Sequence, residues 1–193
     1  MSIRDAAVEA YREALPALVA SLVGGLVAGV VLGGMRAELR AVPGLLVLVP
    51  ALLATRGNVY GSLGARIATA LHQGLIEPRV TAGDRRLRAA AAAALGNGLL
   101  ASTFAATAVF LILSVLGSRV APLPVLVGIA VLAGLLSGVV LVVVVVTVVF
   151  AGYRRGRNPD TLVGPIVTTT GDVFGVVFLL VAVRTVLFLG GAV

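Results

Sequence analysis

Three stretches of this chain, 14–35, 89–118 and 120–153, run without a charged side chain. Each outlasts the roughly 20 apolar residues that cross a hydrocarbon core about 30 Å thick. No water reaches backbone groups there, so only helices or closed barrels can span it. Barrel strands alternate apolar and polar residues over segments of about 10 residues. The run LLSGVVLVVVVVTVVF does not alternate. Only 12% of the residues are charged, against about 25% in soluble domains. The chain therefore reads as an all-α integral membrane protein, with 1–193 a single transmembrane domain.

Five transmembrane helices are predicted, at roughly 15–35, 42–74, 87–116, 124–153 and 161–193. The second should be broken by Pro50 and by the polar stretch around Gly57-Asn58. Residues 1–15, MSIRDAAVEAYREAL, are too polar for a signal-peptide core. They suit a short amphipathic juxtamembrane helix, with Ile3, Ala7, Ala10 and Ala14 on one face. A plain solvated lead-in is the alternative.

The net charge of +7 comes from arginine, since the chain holds no lysine. These arginines cluster at the ends of the apolar runs, which is a topology signal rather than a nucleic-acid footprint. With the N-terminus inside, the inner side carries Arg4, Arg12, Arg79, Arg85, Arg86, Arg88, Arg154, Arg155 and Arg157. The outer side carries Arg36, Arg40 and Arg119. Nine against three sets the N-terminus inside and the C-terminus outside, in a multi-pass protein of the cell membrane. There is no cysteine, so disulfides and thiolate metal sites are excluded.

Small residues recur at helix-packing intervals. Ser21, Gly25, Gly29 and Gly33 are each four apart in the first span, and Gly134 and Gly138 repeat the spacing in the fourth. Such stripes let helix backbones approach closely in lipid. Tight packing within a bundle is the expected role, and pore lining is the competing one.

Only one acid lies deep in a span. Asp172 sits about 12 residues into the fifth, roughly 18 Å at the helical rise. A carboxylate at that depth costs roughly 3 kcal/mol, so it is a functional candidate. Pro165, Thr168, Asp172 and Gly175 fall on one helical face. Pro165 frees a backbone carbonyl one turn earlier, and Thr168 adds a hydroxyl. An all-oxygen set of this kind suits Mg²⁺ or Ca²⁺. An ion pair with Arg56 or Arg184, and a proton relay, are the competing readings. One carboxylate per chain is a thin site for a dication. A dimer that brings two copies of Asp172 together across a shared pore is the arrangement this favours.

Asn58 on the second span and Asn97 on the third offer amides to a permeating ion or to a neighbouring helix. Arg66 is placed to snorkel from the inner end. His72 stands near the inner interface without a second ligand at metal-binding spacing. No HExxH, GxSxG or P-loop pattern occurs, so no catalytic residues and no enzymatic activity are expected.

At these motifs the chain resembles the MgtE family of divalent-cation transporters, including its eukaryotic solute-carrier relatives. The likeness rests on Pro50 followed by Gly57-Asn58, Ala65-Arg66 and Gly74; on Leu95-Gly96-Asn97; and on Asn158-Pro159-Asp160, Pro165, Thr169 and Gly171-Asp172. The bacterial members continue the second-helix motif as GNxGxQ. Here Asn58 is followed by Val59-Tyr60-Gly61-Ser62, closer to the solute-carrier branch. The cytosolic sensor domains of bacterial members have no counterpart in these 193 residues.

The resemblance implies a homodimer of five-helix domains in the lipid bilayer, with a Mg²⁺ pore on the two-fold axis. Pairing with a homologous half-sized chain is its variant. It also implies that Asp172 binds the permeating ion. The expected metal-lining residues are Asp172, Thr168, Asn58 and Asn97. Mg²⁺ is the transported ion and no cofactor is expected. A Mg²⁺/Na⁺ or Mg²⁺/H⁺ exchanger, or a non-transporting membrane subunit, are the alternatives.

Overall fold

The computed structural model describes the backbone of residues 3–79, 84–156 and 159–190, with the side chains of 3–10, 12–14, 16–17 and 159–163 outside the description. The elements are α1 (Ile3–Gly34), α2 (Arg36–Ala41), α3 (Leu45–His72), α4 (Arg85–Val115), α5 (Leu123–Arg154) and α6 (Pro159–Leu189). No strand occurs among the described residues. α3, α4, α5 and the Gly164–Leu189 part of α6 are long and apolar enough to cross a membrane. The apolar part of α1, Leu18–Gly34, is shorter. The polar lead-in and the first apolar run form one uninterrupted helix. The side chains expected to give the lead-in its apolar face, Ile3, Ala7, Ala10 and Ala14, lie outside the described residues.

α5 is the centre of the bundle. It packs on α3, α4 and α6. Half of its most apolar window is buried, including Leu126, Ile129, Ala133, Leu141 and Val145. A valine-rich run is a modest helix former in water. In hydrocarbon the backbone must bond to itself, and that requirement overrides propensity.

Large side chains in the helix seams are received by glycines. Tyr60 of α3 is 1% exposed. Its hydroxyl lies where a Cβ on Gly138 of α5 would sit, and 2.8 Å from where one on Gly98 of α4 would sit. A Cβ on Gly134 would stand 2.6 Å from Ser102 Oγ. The expected packing role of Gly134 and Gly138 is therefore met.

The first span differs from expectation. Gly24 and Ala28 are its buried small residues. A Cβ on Gly24 would collide with Thr169 of α6, and Ser21 Oγ lies 3.1 Å from Thr169 Oγ1. Among the described residues nothing stands within 4 Å of the Cβ positions of Gly25, Gly29 and Gly33. Gly24 and Gly25 are neighbours, about 100° apart on a helix of 3.6 residues per turn. One register position thus separates the packed face from the open one. The second helix also departs from expectation, since α3 runs through both Pro50 and Gly57-Asn58 without a break. Pro50 stands early in α3, so the carbonyl it deprives of a partner is that of Leu46, near the helix start.

The helix ends are set by local chemistry. Gly44 opens α3 with φ of 93°, and a Cβ there would also meet Leu113 and Val120 at 3.1 and 3.3 Å. Nearby, Ala121 N–H donates to Pro43 O at 2.8 Å, joining the α4–α5 loop to this turn. At the other end Asp84 caps α4, accepting from Arg86 and Leu87 N–H at 2.9 and 3.0 Å. His72 meets Tyr153 edge-on, with ring centroids 5.5 Å apart.

α2 carries Glu38, which accepts from Arg184 Nε of α6 at 2.9 Å. Its own backbone N–H first, and Arg184 second, hold the Glu38 carboxyl below its usual value. A lowered folded-state value stabilises the fold above the unfolded value near 4.5 and loses that contribution as pH falls through the folded one. The Arg184 side chain is 69% exposed, so screening keeps the pair's worth to about 1 kcal/mol or less.

Two outcomes are expected in detergent melts. Gly138→Ala should cost about 1–3 kcal/mol through overpacking against Tyr60, whereas Gly96→Ala, with open space around it, should hold or gain. Glu38→Gln should lower the melting temperature slightly at pH 7, and its gap from wild type should close as the solution is acidified below the ordinary carboxylate range.

Candidate cation site

α6 is held on three sides. Thr169 faces Ser21 and Gly24 of α1. Gly171 faces Leu141 of α5, and Gly175 faces Leu53 and Arg56 of α3. At about 100° per residue, Thr168 and Asp172 fall between the sector turned to α3 and the sector turned to α1. α1 and α3 have no substantial packing with each other. The two residues therefore line a groove floored by α6 and walled by α1 and α3.

Asp172 is half-buried and Thr168 is exposed there. The Thr168 hydroxyl donates to Gly164 O at 2.9 Å. That bond spends its proton on the helix and leaves the oxygen lone pairs free to face a cation. Pro165 is in the same sector, half-buried. Among the described residues Asp172 has no ion-pair partner within 4.0 Å. The expected alternative of a pair with Arg184 does not hold. Arg184 lies about three turns further along α6 and pairs instead with Glu38.

Asn58 and Asn97 come together, but elsewhere. Both are exposed, and both line a cavity of about 200 Å³ between α3 and α4, with Ser62, Arg66, Ala90 and Ala94. α3 turns Arg56 toward α6. Asn58, two residues on and about 200° around, looks the other way. The four sequence candidates thus form two pairs in two grooves, Thr168 with Asp172 and Asn58 with Asn97, and α3 divides them. Asn158 lies outside the described residues, as do the side chains of Pro159 and Asp160.

Sequence reasoning did not find the role of Tyr60 or the pocket at Gly175. The available signal was Arg56 and Tyr60 at i and i+4, one face of α3, with glycines on α4, α5 and α6 to receive them. Among the described residues no three His, Cys, Asp or Glu side chains gather to hold a metal ion. A dication at Asp172 would meet one carboxylate, one hydroxyl and water from a single chain.

The family model of MgtE, described as divalent cation transporter, matches residues 49–182. That region runs from the start of α3 to the last third of α6 and takes in Asn58, Asn97, Thr168 and Asp172, but not α1. With well over half of its length matched, in a bundle of membrane-length helices, the chain is a multi-pass membrane protein that belongs to the MgtE family of divalent cation transporters.

Proposed function

We propose that the chain forms a Mg²⁺ channel or transporter of the cell membrane, working as a dimer with the ion path between protomers. The observation that carries this is Asp172, a carboxylate at mid-helix depth in an open groove beside the Thr168 hydroxyl. Burying it in hydrocarbon without function would cost roughly 3 kcal/mol. Mg²⁺ keeps several waters and is commonly held by one or two carboxylates. Two copies of the α1–α3 groove facing one another supply that number.

In this reading α1 is also a span, the first of five, with the N-terminus inside. Its apolar part, 17 residues from Leu18 to Gly34, covers about 25 Å at the helical rise. Its exposed face of Leu18, Leu22, Leu26 and Val30 suits lipid. The inside-negative potential would then drive uptake with about 2.3 kcal/mol per charge per 100 mV, doubled for a dication. Asp172 and Thr168 are the proposed ligands. Asn58 and Asn97 line the α3–α4 groove as a lesser polar stretch, where the Arg66 charge weighs against tight cation binding.

Mg²⁺ flux into proteoliposomes under an imposed potential tests the site. Asp172→Asn should lose at least about tenfold, while Asn58→Ala and Asn97→Ala should lose less. A wild-type rate in Asp172→Asn would refute the assignment. Flux that requires an opposing Na⁺ or H⁺ gradient would point to an exchanger instead.

The dimer has its own test, because the chain has no cysteine. Thr168→Cys should give an oxidatively cross-linked dimer in membranes. A chain that stays monomeric while a surface cysteine at Arg154 behaves the same way would count against a shared pore at this groove.

A further inference from the structure

Arg56 is 5% exposed, and among the described residues its Nε and Nη2 have no hydrogen-bond partner. A guanidinium carries five N–H donors and cannot shed its charge. Left buried and unsatisfied, it is among the most costly groups a bundle can hold. Long basic side chains near a membrane commonly escape by snorkelling to water. At this exposure Arg56 does not.

The bundle makes room for it. A Cβ on Gly175 of α6 would overlap Arg56 Nη1 and would stand 2.8 Å from Leu53 Cδ2. The guanidinium is therefore seated in the α3–α6 seam, against the turn that follows Asp172. Gly175 is three residues beyond Asp172, about 4.5 Å along the axis. The two side chains are not in contact as an ion pair, yet Arg56 meets α6 within one helical turn of Asp172.

We infer that Arg56 is a fixed internal counter-charge to Asp172 that sets how tightly the groove holds a divalent cation. The inference rests on the reading of Asp172 as the cation ligand. Arg56 touches no cation in this scheme and acts through the field it places on the site. A fixed positive charge opposes a dication twice as strongly as a monocation at the same point. Conduction needs a site deep enough to enter and shallow enough to leave. Two carboxylates facing each other in low dielectric would bind a dication deeply, and a buried guanidinium behind each one makes the well shallower. Between passages of ions, the same charge offsets the Asp172 carboxylate.

The experiment is a Mn²⁺ titration followed by electron paramagnetic resonance on the purified protein in nanodiscs. Arg56→Gln should bind Mn²⁺ at least about tenfold more tightly than wild type. Arg56→Lys keeps the charge and should stay close to wild type. Asp172→Asn should lose the site. Should the glutamine variant not fold, Arg56→Met carries the same neutralisation on an apolar side chain suited to the pocket, and is read the same way.

Unchanged or weaker Mn²⁺ binding on neutralising Arg56, with binding lost in Asp172→Asn, overturns the counter-charge and leaves the site standing. Tightening in the lysine variant equal to that in the glutamine variant also overturns it, since packing rather than charge would then be responsible. Wild-type binding in Asp172→Asn overturns the site reading itself.

Discussion

A leucine in lipid gains little by leaving hydrocarbon for a neighbouring helix, so this bundle depends on how closely its helices pack. Glycines placed opposite large or polar side chains set that distance. Gly98 and Gly138 receive the Tyr60 ring, Gly134 receives Ser102, Gly24 receives Thr169 and Gly175 receives Arg56. Each pairing joins two helices at one point. Together they link α1 to α6, α6 to α3, α3 to both α4 and α5, and α4 to α5. The bundle is therefore held by shape, and its polar side chains are located by the glycines that admit them.

α3 benefits most from this arrangement. It meets α4, α5 and α6 and presents different chemistry to its neighbours. Toward α6 it turns Arg56, toward the centre Tyr60, and toward α4 the amide of Asn58. A break at Gly57-Asn58 would have uncoupled these directions. Because α3 is continuous, the angular offset between Arg56 and Asn58 is fixed. The two polar grooves stay on opposite sides of one rigid element.

Much of this was legible in the chain itself. The apolar runs marked the long helices, because length without charge is what a hydrocarbon slab demands. The spacing of Gly134 and Gly138 marked a packed face, and Asp172 stood out by cost alone. What could not be read depended on rotation and on distant partners. Gly24 and Gly25 look alike in sequence, and only the position of Thr169 selects the first. Arg184 could have met Asp172 or another acid, and the choice fell to Glu38, which α2 brings over the end of α6. Pro50 looked like a break because its place in the helix was not known. Asn58 and Asn97 were read as lining an ion path or bonding a neighbouring helix, and depth alone did not say which groove they face.

The charges in the bundle then divide by what surrounds them. Glu38 and Arg184 meet where the Arg184 side chain is exposed, and the pair contributes little beyond tying α2 to α6. Asp172 and Arg56 lie deeper, on facing helices, without touching. A direct pair there would satisfy both groups and leave nothing for an ion to bind. A lone Asp172 would leave the groove with an uncompensated negative charge. Under the counter-charge proposal, separation by about one helical turn, with Gly175 seating Arg56, balances charge while leaving the carboxylate open to an ion. The acid singled out first by its cost in lipid thus faces, about one turn along the α3–α6 seam, an arginine that no groove exposes.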